Sequence, residues 1–180
     1  MRKVTLYIEC SSTYIGKKLR LSGYVLEYIT RDLPVTGQAF REGSGTYNQE
    51  YLLTITDALG HMKEPCELLI CGSNRFVLNM IRDRLQTWAE HDFISNGRPV
   101  MNQEEWQAVW EKIKEHKVSV QIGKHSYSSW LLTEMEGKRN EKPRRIPETE
   151  DKDSKDATGS GHDRDHANGS DLQEAERISG

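Results

Sequence analysis

Residues 46–81 constrain the fold of this chain more than any other stretch. They read as a helix, a tight connection, a short apolar strand and a second helix. Tyr51, Leu52, Ile55, Ala58, Leu59 and Met62 recur at helical spacing and form one apolar stripe. Gly60 and Pro65 mark the way out of that helix. Residues 67–71 are unbroken apolar after the first, as expected of a strand buried on both faces in a locally parallel sheet. Val77, Met80, Ile81, Leu85 and Trp88 define the second helix. Such a core carries no chemistry by itself. The chemistry depends on Glu50, at the start of the first helix, and Gly72, at the end of the strand.

The remaining elements follow from period and punctuation. Residues 4–10 alternate Val4, Leu6 and Ile8 against Thr5, Tyr7 and Glu9, which predicts a strand with Glu9 near its carboxyl end. A loop over residues 11–22 carries Lys17, Lys18 and Arg20. Two further strands are expected over residues 24–29 and 34–41, paired as antiparallel hairpins. Asn102 followed by Glu105 resembles a capping box ahead of a helix striped by Trp106, Val109, Trp110 and Ile113. Val118, Val120 and Ile122 alternate as a last strand, and a short helix through residues 130–135 follows.

Charge divides the chain. Residues 1–135 hold sixteen Lys and Arg against sixteen Asp and Glu, whereas residues 136–180 hold nine against twelve, which accounts for the net −3. A neutral body does not point to strong non-specific DNA binding. Residues 137–180 hold almost no large apolar side chain, so a disordered charged tail is expected there, after a domain over residues 1–136. His162 and His166 stand among aspartates in that tail, and a solvated acidic segment is the simpler reading of them than a metal site. Cys10, Cys66 and Cys71 lack metal-ligand spacing and read as buried free thiols in a reducing cytoplasm. No membrane span or signal peptide is expected, since Met1-Arg-Lys leads directly into a strand.

The order of elements, with the residues at their ends, resembles type 1 ribonuclease H over about residues 3–135. Tyr7-Ile-Glu-Cys-Ser11 stands where that family has Thr-Asp-Gly-Ser, and Gly23-Tyr24 opens the second strand. Asn48-Gln49-Glu50 opens the first helix, and Cys71-Gly72-Ser73 stands in place of Thr-Asp-Ser. Phe76-Val77 and Trp88 follow. Pro99-Val-Met-Asn102 precedes a Trp-bearing helix, and Gly123-Lys-His125 takes the place of Lys-Gly-His. The resemblance implies an α/β ribonuclease H-like fold, with a five-stranded mixed sheet flanked by helices.

It also implies hydrolysis of the RNA strand of an RNA–DNA hybrid by two magnesium ions, held by four acids and assisted by a mobile histidine. Carried onto this chain, that set is partial. Glu9 replaces the first acid with a side chain one methylene longer, which displaces the oxygens by about an ångström. Glu50 matches the second acid, and Gly72 supplies no ligand at the third. The fourth has no clear counterpart unless Glu134 or Glu136 stands in. His125 takes the histidine's place. Lys17, Lys18, Arg20 and Asn48 are the nucleic-acid-binding candidates, Lys17, Lys18 and Arg20 lying in the loop that meets the hybrid's minor groove in the family. The segment following Trp88 is a basic projection in many members; here it holds two acids and one Arg.

Each of these residues also has a plainer reading. Glu50 is a first-turn acid favoured by the helix dipole, Glu9 is sheet surface, His125 is a solvated or capping loop residue, and the basic loop is solvated. The expectation is a ribonuclease H-like protein that binds hybrid or other nucleic acid, with magnesium bound weakly or not at all and catalysis lost or strongly reduced. An active hybrid nuclease with replacement acids, and a protein-interaction module on the same fold, are the alternatives.

Overall fold

The computed structural model describes residues 1–141. Seven strands and five helices follow one another as β1 (Arg2–Cys10), β2 (Arg20–Thr30), β3 (Leu33–Gly43), α1 (Tyr47–Leu59), β4 (Cys66–Gly72), α2 (Arg75–Asp83), α3 (Leu85–Glu90), β5 (Ile94–Ser95), β6 (Arg98–Pro99), α4 (Gln103–Ile113), β7 (Lys117–Ile122) and α5 (Ser128–Glu141). Five strands form one sheet in the order β3-β2-β1-β4-β7. The first three are antiparallel, and β4 runs parallel to both β1 and β7. This is the five-stranded mixed sheet flanked by helices that the sequence predicts. The residue pairs Tyr7↔Cys71 and Ile8↔Gly72 bring the ends of β1 and β4 side by side.

Alternation along β1 sorts its side chains between two cores. Leu6, Ile8 and Cys10 join the larger one, with Tyr51, Leu52 and Ile55 of α1, Val77 of α2 and Trp106 of α4. Tyr7 belongs to a smaller cluster beneath α5, where Val25, Leu131 and Met135 are buried. Full burial of one such Leu or Ile contributes about 1.5–3 kcal/mol, so the larger core dominates the energetics. Thr46 caps α1 by accepting from the Gln49 N–H at 3.2 Å, and Gln49 Nε2 donates to Glu105 of α4 at 2.6 Å.

Several local expectations are corrected. The predicted second helix is two, α2 and α3, separated at Arg84 (φ −131°). No Gly or Pro announces that break. Trp88 lies beyond it and packs edge-on against Trp106. Asn102 does start α4, but in the left-handed conformation (φ 60°) and without a side-chain cap bond, so no capping box forms and Glu105 is instead taken by Gln49. Asparagine tolerates that backbone better than other side chains with a Cβ. The last helix continues past the boundary drawn at residue 136, to Glu141. The rest of the predicted tail, with His162 and His166, lies outside the described residues. All three cysteines are free and buried. No helix among the described residues is long and apolar enough to cross a membrane.

Arg20 is not a solvated loop residue. It opens β2, is 2 % exposed, and donates from its guanidinium to the carbonyls of Ser12 and Gly16, both at 2.7 Å, and of Gly45 at 3.4 Å. The side chain thus ties the β1–β2 loop to the start of α1 and is unavailable to a nucleic acid. Arg20→Ala would remove the shared donor of three part-buried carbonyls, at a total cost of about 1–3 kcal/mol. Urea unfolding is expected to show the loss, accompanied by NMR line broadening across residues 11–19.

Candidate active site

The ends of β1 and β4 and the first turns of α1 and α5 surround the position where the family resemblance predicts a metal centre. Glu9, at the end of β1, is 5 % exposed. Its carboxylate accepts from the Ser128 hydroxyl at 2.6 Å and from the Ser73 hydroxyl at 3.1 and 3.2 Å. His125 Nε2 lies 3.3 Å from the same carboxylate and 3.2 Å from the Ile8 carbonyl. The Tyr127 backbone N–H donates to Nδ1, which places the ring proton on Nε2. Burial raises the Glu9 carboxyl, but the hydrogen bonds from His125, Ser128 and Ser73 outweigh it and hold the group below the usual glutamate range.

His125 is therefore brought to Glu9, as a buried group. Its side chain is 2 % exposed, bonded at both nitrogens and tilted against the Tyr7 ring at 5.1 Å. It is neither the solvated loop residue of the plainer reading nor a projecting histidine.

Glu50 reaches the site from α1 and is held by other partners. Its carboxylate pairs with Arg41 of β3 at 2.6 Å and accepts from the Gly45 N–H at 2.8 Å. Arg41 also reaches Asp57 at 3.1 Å. Gly43 makes room for this arrangement, since a Cβ there would overlap the Glu50 carboxylate. The Cys10 thiol feels both glutamates, and burial pushes it up to about 12, so it stays protonated.

Gly72 and Tyr51 determine what else fits. A Cβ at residue 72 would fall on the Tyr51 hydroxyl and lie 3.1 Å from Cζ of the same ring and 3.0 Å from the Ile8 carbonyl. Tyr51 is wholly buried, and burial drives its phenol well above the ordinary value. The Asn74 backbone approaches the hydroxyl and lowers it only slightly, without a hydrogen bond of regular geometry. The space an acid at residue 72 would need is thus filled by a phenol from the core. A glycine inside a strand can mark such a close approach of another group. It was the one sequence signal for Tyr51, which the sequence places only in the core stripe.

Among the described residues, no replacement acid closes the gap. On α5 the buried positions are Ser128, Leu131 and Met135. Glu134 is half-buried and Glu136 exposed, away from that face. Ser128 is the α5 residue that touches Glu9, and nothing in the sequence singled it out. Among the described residues, no three His, Cys, Asp or Glu side chains come together closely enough to share a metal ion. Magnesium requires several anionic oxygens at one point. One carboxylate ringed by hydroxyls and a histidine, a second paired with Arg41, and a protonated thiol do not fit a two-magnesium centre.

Of the nucleic-acid candidates, Lys17 and Lys18 are exposed on the β1–β2 loop. Asn48 is half-buried, and its Oδ1 accepts from Asn74 Nδ2 at 3.0 Å. Asn74 in turn caps α2 by accepting from the Val77 N–H at 2.9 Å. Arg20 is excluded, as its contacts show.

The chain belongs to the ribonuclease H family, whose sequence model matches residues 1–126. It is 30% identical over 100 residues to ribonuclease HI of Haemophilus influenzae, a match spanning 55% of this chain and 63% of that one. A ribonuclease H of Clostridium botulinum is 28% identical over 131 residues, which cover 70% of this chain and 86% of the relative. Among solved structures, LC9-RNase H1, a type 1 RNase H with the type 2 active-site motif, superposes with a TM-score of 0.60 at 15% identity, over 76% of this chain and 70% of that one. The N-terminal RNase H domain of rv2228c from Mycobacterium tuberculosis gives 0.56 at 9% identity, over 78% and 98%. At these identities the superpositions speak for the fold.

Two outcomes are expected. Because the folded Glu9 carboxyl is held below its ordinary value, its stabilisation is complete above the ordinary glutamate range and fades as pH falls through the folded value. The stability gap between wild type and Glu9→Gln, measured by denaturant unfolding, should therefore be widest near neutrality and shrink towards pH 3. Separately, Gly72→Asp should destabilise the fold by more than about 2 kcal/mol through overpacking and a buried charge. Paired with Tyr51→Ala it should cost less than the sum of the two single changes, and a double-mutant cycle reads that coupling.

Proposed function

We propose that this ribonuclease H-family protein binds RNA–DNA hybrid or a related nucleic acid and has lost, or very nearly lost, the family's hydrolytic activity. The observation that carries this reading is Tyr51, whose phenol fills the space an acid at residue 72 would need. The Glu50–Arg41 pair supports it, because a metal at Glu50 would have to compete with a guanidinium 2.6 Å away. Glu9 supports it too, since its oxygens are already engaged by Ser73, Ser128 and His125. Magnesium is then bound weakly or not at all, and Glu9, Glu50 and His125 are read as the remnant of a site. The hybrid would lie across Lys17 and Lys18, with Asn48 beside the cleft. The buried free thiols favour a reducing cytoplasm.

The reading of an active nuclease with replacement acids gains nothing from Glu134 and Glu136, which lie off the buried face of α5. An end-labelled RNA–DNA hybrid incubated with pure protein in magnesium or manganese is expected to stay intact. Robust cleavage that Glu50→Gln abolishes would overturn the proposal. Binding of the uncleaved hybrid should weaken as salt rises. Lys17→Ala combined with Lys18→Ala should flatten the log–log salt slope by roughly one to two, one phosphate contact per lysine. Salt-independent or absent binding would favour a module that recognises only protein.

A further inference from the structure

We infer that the outer edge of β3, with the groove it opens onto, binds an extended peptide segment of a partner protein, apolar with an acidic residue, as a sixth strand of the sheet. This site lies at the end of the sheet away from Glu9 and is independent of the hydrolytic remnant. β3 is the edge strand, and among the described residues its outer backbone pairs with nothing. Residues 35–40 carry no charge, and residues 33–38 are exposed. Edge strands of this length usually carry charges or a cover that discourages added strands. Here Pro34 stands at the hairpin end and the charged Arg41 and Glu42 at the other, so the stretch between them has neither.

A groove of about 640 Å³ adjoins that edge, within the range of about 300–1,000 Å³ typical of ligand pockets. Its floor is the sheet face formed by Val4, Tyr24 and Leu26, and Met62 lines it from the loop after α1. The register puts Val35, Gly37 and Ala39 of β3 on the same face, opposite Tyr28, Leu26 and Tyr24. Gly37 and Ala39 leave the mouth open, and a Cβ on Gly37 would meet only empty space. The rim is basic: Arg2, stacked 5.4 Å from the Tyr28 ring centroid, with Lys63 and His61, against the single acid Glu64.

These features choose between occupants. A strand added at β3 contributes backbone hydrogen bonds and projects alternate side chains over the groove. A second copy pairing β3 with β3 would project Val35, Gly37 and Ala39 on this face and leave the groove largely unfilled. A partner segment with two large apolar side chains two residues apart, followed by a carboxylate on the same face, fills the floor and meets Arg2 and Lys63.

The probe is the blocked heptapeptide acetyl-Thr-Phe-Thr-Phe-Thr-Glu-Thr-amide, titrated into ¹⁵N-labelled protein. Saturable shifts confined to residues 35–40 and 61–66 are expected, with slowed amide exchange along β3. A Lys in place of the Glu should weaken binding at least threefold, and a Pro in place of the Thr between the two Phe residues should abolish it. Gly37→Leu, which fits the open space and so should fold normally, is expected to weaken the peptide about tenfold by occupying the mouth. No shifts up to about 1 mM peptide, shifts elsewhere, equal binding of the proline peptide, or β3 edge protection arising from dimerisation without peptide would each overturn the inference.

Discussion

The site is organised by the contact between the Tyr51 phenol and the backbone of Gly72. The phenol comes from the second turn of α1, the helix that also carries Glu50, and it stands where β4 ends beside β1. A side chain larger than hydrogen at residue 72 would displace the ring or the neighbouring carbonyl of Ile8. The glycine at the end of this strand is therefore coupled to the packing of the main core. An interior at near-crystalline density does not yield to a single substitution, so the contact fixes the site as a whole.

The glutamates on either side of this contact are settled separately. Glu9 is surrounded by two serine hydroxyls and a histidine that holds its proton towards the carboxylate. Glu50 is neutralised by Arg41, which Asp57 also holds. Each group is satisfied within the fold, so neither depends on a cation to compensate its burial. The same scaffold leaves the β1–β2 loop lysines in solvent, clamped from beneath by Arg20. Exposed loop lysines beside a self-satisfied centre are the features that favour the proposed binding without turnover.

The fold was largely legible in the sequence because its signals are local periods. Tyr51, Ile55 and Leu59 mark a helix face, Leu6 and Ile8 a strand face, and the apolar run at residues 68–71 a strand covered on both sides. The site was legible only as far as residue identity reaches. Glu9, Glu50, His125 and the deficit at Gly72 could be named from the chain. What holds each of them could not, because Arg41, Ser128 and Tyr51 act through contacts distant in sequence, which no local pattern encodes. Arg20 was misread for the same reason: a basic residue in a Gly- and Lys-containing segment looks solvated until its three carbonyl partners are seen. The helix break at Arg84 is a tertiary choice that overrides propensity.

Anomalous diffraction from crystals grown with RNA–DNA hybrid and manganese tests the central claim most directly. A site closed by Tyr51 and Arg41 predicts no pair of ions between Glu9 and Glu50, and an unchanged Glu50–Arg41 contact. Two manganese ions roughly 4 Å apart, with Arg41 turned away from Glu50, would contradict it.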